Sequence, residues 1–99
     1  MANARVSRGR QSQTFFANYL RGNGWPDAKA REASLPGTDI YDCWPLAPEV
    51  KATERIDLTG WLSQARNNAG NGVPFVVYRP RGFGPAQITR WPVIFDLEW

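Results

Sequence analysis

The chain is 99 residues long with 42% hydrophobic residues, a length that supports one small domain around a single core. Its formal net charge is +3, and ten of its twelve basic residues are arginine, whose planar fork matches phosphate oxygens. There is no histidine and only one cysteine, Cys43, which excludes an internal disulfide, a Cys/His zinc site and nucleophile chemistry built on a Cys–His pair.

No stretch has the apolar length of a signal peptide core or a membrane span. The expectation is a soluble protein of a reducing, cytoplasmic compartment, in a prokaryotic cell or a virus-infected host, with no membrane partner. Residues 1–8 read as a flexible basic arm leading into Arg10. From Gly9 the spacing of Phe15, Phe16, Tyr19 and Leu20 predicts a first helix, with Ser7 or Ser12 near its start and Gly22 and Gly24 beyond its end. Ala28 to Ser34 alternates small and charged residues and is read as a short strand, followed by a turn at Leu35-Pro36-Gly37. Thr38 to Tyr41 and Leu46 to Thr53 are the second and third strands, joined by a hairpin through Asp42 to Pro45.

Ile56 to Ala69 carries Ile56, Leu58, Trp61, Leu62 and Ala65 on one stripe, which predicts a second helix capped by Asp57 or Thr59. Val73 to Tyr78 is a continuous apolar run, as in a strand covered on both faces. A basic, glycine-containing loop follows at Arg79 to Gly84, and Ile88 to Leu97 is read as the last strand. The fold class expected from this order is α/β (α+β): helix, three strands, helix, two strands, with a mixed central sheet flanked by helices. Trp25, Trp61 and Trp91 sit in core-facing patterns. Trp44 and Trp99 do not, and they suit either a subunit interface or stacking on unpaired bases.

Chemistry concentrates in Asp39, Glu49 and Lys51. Residues two apart on a strand point to one face, so Glu49 and Lys51 stand together while Val50 packs the other way. The hairpin returns Asp39 to their side. Two carboxylates beside an ammonium suit a hard divalent cation, which binds one or two carboxylates and completes its shell with water and phosphate. The plainer reading of the same residues is a surface hairpin with a solvated Glu49/Lys51 pair.

An acid after a turn followed by an acid-x-lysine strand resembles the PD-(D/E)XK nuclease superfamily. With Arg8-Gly9 at the opening, Gly24-Trp25 after the helix, the Gly37-Thr38-Asp39 turn and the Glu49-Val50-Lys51 strand, the whole chain is similar in element order to the small archaeal-type Holliday-junction resolvases. That resemblance implies a restriction-endonuclease-like core and a Mg²⁺- or Mn²⁺-dependent endodeoxyribonuclease acting on branched or duplex DNA as a homodimer. It assigns the metal to Asp39, Glu49 and the Val50 carbonyl, and water orientation to Lys51. Those resolvases carry a glutamate where this chain has Gln13, which could still orient water, as could Gln64. Arg8, Arg10, Arg79, Arg81, Arg90 and Thr53 are the expected contacts to the DNA backbone, and Thr38 is a possible accessory. Two other readings stay open: a non-catalytic nucleic-acid-binding domain on the same fold, motivated by Gln13, and a small protein-interaction module.

Overall fold

The fold is that of a computed structural model, which describes residues 4–32 and 37–99, the side chains of residues 4–6 excepted. Helix α1 spans Ala4–Arg21, β1 Lys29–Ala30, β2 Ile40–Tyr41, β3 Leu46–Lys51, α2 Leu58–Asn68, β4 Val73–Tyr78 and β5 Val93–Ile94, with a 3-10 helix at Pro85–Arg90 between the last two strands. The chain is therefore a compact α+β fold in the expected element order.

Helix α1 starts earlier than its apolar pattern indicates. Residues 4–8 are helical rather than a loose arm, and residues 1–3 of that expectation lie outside the described residues. Alanine, arginine and glutamine are good helix formers, so the basic opening continues the helix at little cost. Arg8 also anchors it, donating from Nε to the Ala52 carbonyl at 3.1 Å and from Nη2 to the Pro80 carbonyl at 3.0 Å. Ser12 is consequently an interior residue, not a cap: its hydroxyl donates to the Arg8 carbonyl at 2.7 Å. The helix stops at Gly22, and Gly24 at φ +112° takes a backbone conformation that a side chain would oppose.

Strands β3, β4 and β5 form a mixed sheet in which β3 and β4 are parallel and β4 and β5 antiparallel. Both of its faces are covered. Phe16, Ala17 and Leu20 of α1 pack with Val50, Phe75 and Val77 on one side, together with Ile40, Cys43 and Trp91. Trp61 and Ala65 of α2 pack on Val76 on the other. Period-two alternation along β4 thus feeds two cores, which explains its unbroken apolar run. Asp57 caps α2 by accepting from the Gly60 N–H at 3.1 Å.

Helix α2 is Leu58–Asn68 rather than Ile56 to Ala69, and four expected strands are also shorter than their sequence patterns. β1 covers two residues of the stretch Ala28 to Ser34, of which 33 and 34 lie outside the described residues, as do 35 and 36 of the following turn. β2 begins at Ile40, and β3 ends at Lys51. The final strand is reduced to Val93–Ile94, because Pro85 opens a 3-10 turn over the first part of that run and Pro92 has no N–H for a ladder. No described helix is long and apolar enough to cross a membrane.

The expected hairpin through Asp42 to Pro45 does not form, because β2 and β3 lie in different sheets. β1 and β2 pair only with each other, in a separate antiparallel sheet. The join to β3 is made by Asp39, whose N–H donates to the Pro48 carbonyl at 3.2 Å and whose Oδ2 accepts from the Val50 N–H at 2.7 Å. Ile40, fully buried next to this joint, is the apolar counterpart of the same docking. Replacing Ile40→Ala should cost about 2–5 kcal/mol, read from urea unfolding, because it opens a cavity where the two sheets meet. A loss under about 1 kcal/mol would show that the joint does not depend on core packing.

Candidate active site

Glu49 and Lys51 project from one face of β3 toward α2, as their spacing requires, while Val50 enters the opposite core. Glu49 is 1% exposed. Its Oε1 accepts from Asn68 Nδ2 at 2.9 Å, and its Oε2 is buried with no hydrogen-bond partner among the described residues. Lys51 donates from Nζ to Gln64 Oε1 at 2.7 Å. Asp39 reaches the same place from the other sheet, held at the β3 edge by the Val50 N–H. Its carboxyl lies within hydrogen-bonding reach of Glu49, and the charge of Lys51 acts on both acids. The three groups singled out by the sequence are therefore brought together.

The backbone of β3 completes the set. In an extended strand the N–H and C=O of one residue lie along the same edge, and successive residues alternate. Lys51 faces β4, since its carbonyl accepts from the Arg79 N–H at 2.8 Å. Val50 faces Asp39, so its carbonyl is turned to the edge where the two acids meet. Pro48 faces that same edge, and its missing N–H leaves the β4 ladder undisturbed.

Burial dominates the electrostatics. It pushes the Glu49 carboxyl from its ordinary 4.5 up to about 7, with the charge of Asp39 adding to the shift, while the Asn68 donor and the Lys51 ammonium oppose it. Burial also raises Asp39, against the Val50 N–H, the Glu49 proton, Lys51 and Arg31. Two carboxylates and a carbonyl meeting where one buried oxygen lacks a donor form an all-oxygen donor set that fits a hard divalent cation such as Mg²⁺ or Mn²⁺. Among the described residues no group of three or more His, Cys, Asp or Glu side chains could hold a metal, so two carboxylates are the charge the site offers.

The remaining expected residues divide. Gln13 lines a cleft of about 440 Å³ between α1 and the β1 region, with Arg10, Thr14 and Arg31, and no hydrogen bond ties it to the carboxylates. Thr38 turns inward, its hydroxyl donating to the Ile40 carbonyl at 2.7 Å. Thr53 donates to the Arg55 carbonyl at 3.0 Å. Arg79 is engaged within the fold, donating to the Phe83 carbonyl at 2.6 Å and to Ser12 Oγ at 3.2 Å, with its guanidinium over the Phe15 and Trp91 rings. Arg8 is spent on two carbonyls. Arg10, Arg81 and Arg90 are exposed, Arg81 beside Glu54 at 3.1 Å in a pair that solvent screens.

Two residues of the site escaped sequence reasoning. Asn68 holds Glu49, and its signal was its spacing of four from Gln64 on the polar side of α2. Arg31 acts on Asp39 and donates from Nε to the Thr38 carbonyl at 2.6 Å; its signal was a place on the strand leading to the turn before that acid.

A raised carboxyl makes metal-free stability depend on pH. Between about pH 4.5 and about 7 the folded chain keeps more protons on this pair than the unfolded chain does, so stability falls as pH rises through that window and levels off above it. Thermal unfolding of metal-free protein should move down by several degrees from about pH 5 to about pH 8, and Glu49→Gln should flatten the change. An unaltered slope in Glu49→Gln would place its origin elsewhere.

No family model matches the chain and no similar curated protein or solved structure was found, which leaves the geometry of Asp39, Glu49 and Lys51 as the guide to its chemistry.

Proposed function

We propose that the chain is a divalent-metal-dependent DNA endonuclease with a restriction-endonuclease-like core, directed to branched or junction DNA. The observation that carries this reading is the buried Glu49 carboxylate, with one oxygen lacking a donor among the described residues, beside the half-buried Asp39 carboxylate and with the Lys51 charge acting on both. Burying two like charges together is costly, and a cation between them removes the cost. Asp39, Glu49 and the Val50 carbonyl would hold Mg²⁺ or Mn²⁺. The ion would supply Lewis acidity toward a phosphoryl oxygen and lower the pKa of water.

The chain's own groups divide the remaining work. Lys51 has three donors and no acceptor as an ammonium, so it orients the attacking water and offsets charge growing on the phosphate. Gln64 restrains it by accepting one of those donors. Water gives a proton to solvent as its oxygen forms the new P–O bond in line with the P–O bond that breaks, and the departing oxygen takes the electron pair and a proton from solvent. Arg10, Arg31, Arg81 and Arg90 are available for phosphate contacts, which position a duplex without reading its sequence. Homodimer formation through exposed Trp44, Phe95, Leu97 and Trp99 would place two such sites on two strands.

Asp39→Asn keeps an oxygen for the Val50 N–H and removes the charge, so it separates chemistry from folding. Asp39→Asn and Lys51→Ala should each lower Mn²⁺-dependent nicking of plasmid or four-way-junction DNA by about 100-fold or more while salt-sensitive DNA binding persists. Cleavage at the parent rate in either variant would remove that residue from the mechanism. Binding without nicking in any divalent metal, by the unaltered chain, would select the non-catalytic DNA-binding reading instead.

A further inference from the structure

Helix α2 meets the reacting face of β3 in a matched register. Gln64 and Asn68 are four residues apart on the helix, a rise of about 6.0 Å. Lys51 and Glu49 are two apart on the strand, about 6.6 Å. The repeats nearly coincide, so one helical face makes two consecutive contacts on one strand face: Gln64 with Lys51 at 2.7 Å and Asn68 with Glu49 at 2.9 Å. Each reactive side chain of β3 thus has its own amide partner one helical turn from the other.

The Asn68 contact addresses a specific problem. Rotation of a glutamate carboxylate about its last bond is broad and roughly two-fold, so rotamer preference does not orient it. In Glu49 that freedom would let the group turn away from Asp39. The Asn68 amide, fixed in the last turn of α2, takes Oε1 and leaves Oε2 as the oxygen with no donor. Asn68 is half-buried and lies outside the group of residues expected to touch metal or DNA.

We infer that Asn68 is a positioning residue: it holds Glu49 Oε1 so that Oε2 and the Asp39 carboxylate stand as a preformed oxygen pair for a divalent cation. This rests on the metal-dependent reading above. Removing such an outer partner typically weakens metal affinity 10- to 100-fold. Gln64 differs in kind, because it restrains the lysine and leaves the carboxylates alone.

Calorimetric titration of Mn²⁺ into the full chain separates these roles without reference to activity. Asn68→Ala, and Asn68→Leu, which keeps volume but no donor, should each bind Mn²⁺ about 10- to 100-fold more weakly than the parent. Asn68→Gln, which retains an amide donor, should recover much of the loss, and Gln64→Ala should stay within about threefold of the parent. A cooperative melt for each variant shows that it is folded, and alanine in the last helical turn is well tolerated. Parent-like Mn²⁺ affinity in the alanine and leucine variants would overturn the positioning role while leaving the metal site intact. An equal loss in Gln64→Ala would overturn it too, by showing that any loosening of α2 weakens the site. Failure of the parent chain to bind Mn²⁺ would remove the metal reading and this inference together.

Discussion

The structure depends on the way Asp39 is fastened to the free edge of β3. Its N–H donates to the Pro48 carbonyl and its carboxylate accepts from the Val50 N–H, so one residue supplies both halves of a bond pair that a fourth strand of the main sheet would otherwise make. Those bonds join the small β1–β2 sheet to the main sheet. They also bring an acid from a turn next to an acid on a strand. Folding and site assembly are therefore the same event at this residue, and a buried backbone donor left unsatisfied there would cost about 1–3 kcal/mol.

That fastening creates a conflict. Glu49 is withdrawn from water and Asp39 is half-buried, and the two compete for one proton: the Asp39 charge raises Glu49, while the Glu49 proton holds Asp39 down. Hydrogen bonds from the Val50 N–H and Asn68, and the nearby Lys51 and Arg31 charges, offset only part of the burial. A protein that needed only stability would gain by filling this volume with apolar side chains. Keeping a carboxylate oxygen buried with no donor is the kind of local inconsistency expected of a functional site.

Much of this is legible in the amino-acid sequence. The two-residue spacing of Glu49 and Lys51 fixed their common face, and the apolar run of β4 indicated cover on both sides. Tertiary register was not legible. That Asn68 meets Glu49 depends on the relative position of α2 and β3, which hydrophobic periodicity constrains only to a face. The surroundings of each arginine were not legible for a related reason. A guanidinium held over Phe15 and Trp91, as in Arg79, has the same sequence signature as one waiting for phosphate. The last strand, expected over Ile88 to Leu97, is shorter because the 3-10 helix that opens at Pro85 runs on through Arg90 and Pro92 offers no ladder N–H, limits that outweigh the apolar pattern.

The central claim is that Asp39 and Glu49 share a divalent cation at the edge of β3. Anomalous diffraction from a crystal soaked in Mn²⁺ tests it most directly. The account predicts a single peak about 2.0–2.3 Å from one oxygen of each carboxylate, on the side of the strand to which the Val50 carbonyl is turned. A fully soaked crystal with no peak between these acids, or with Mn²⁺ bound only elsewhere, would contradict it.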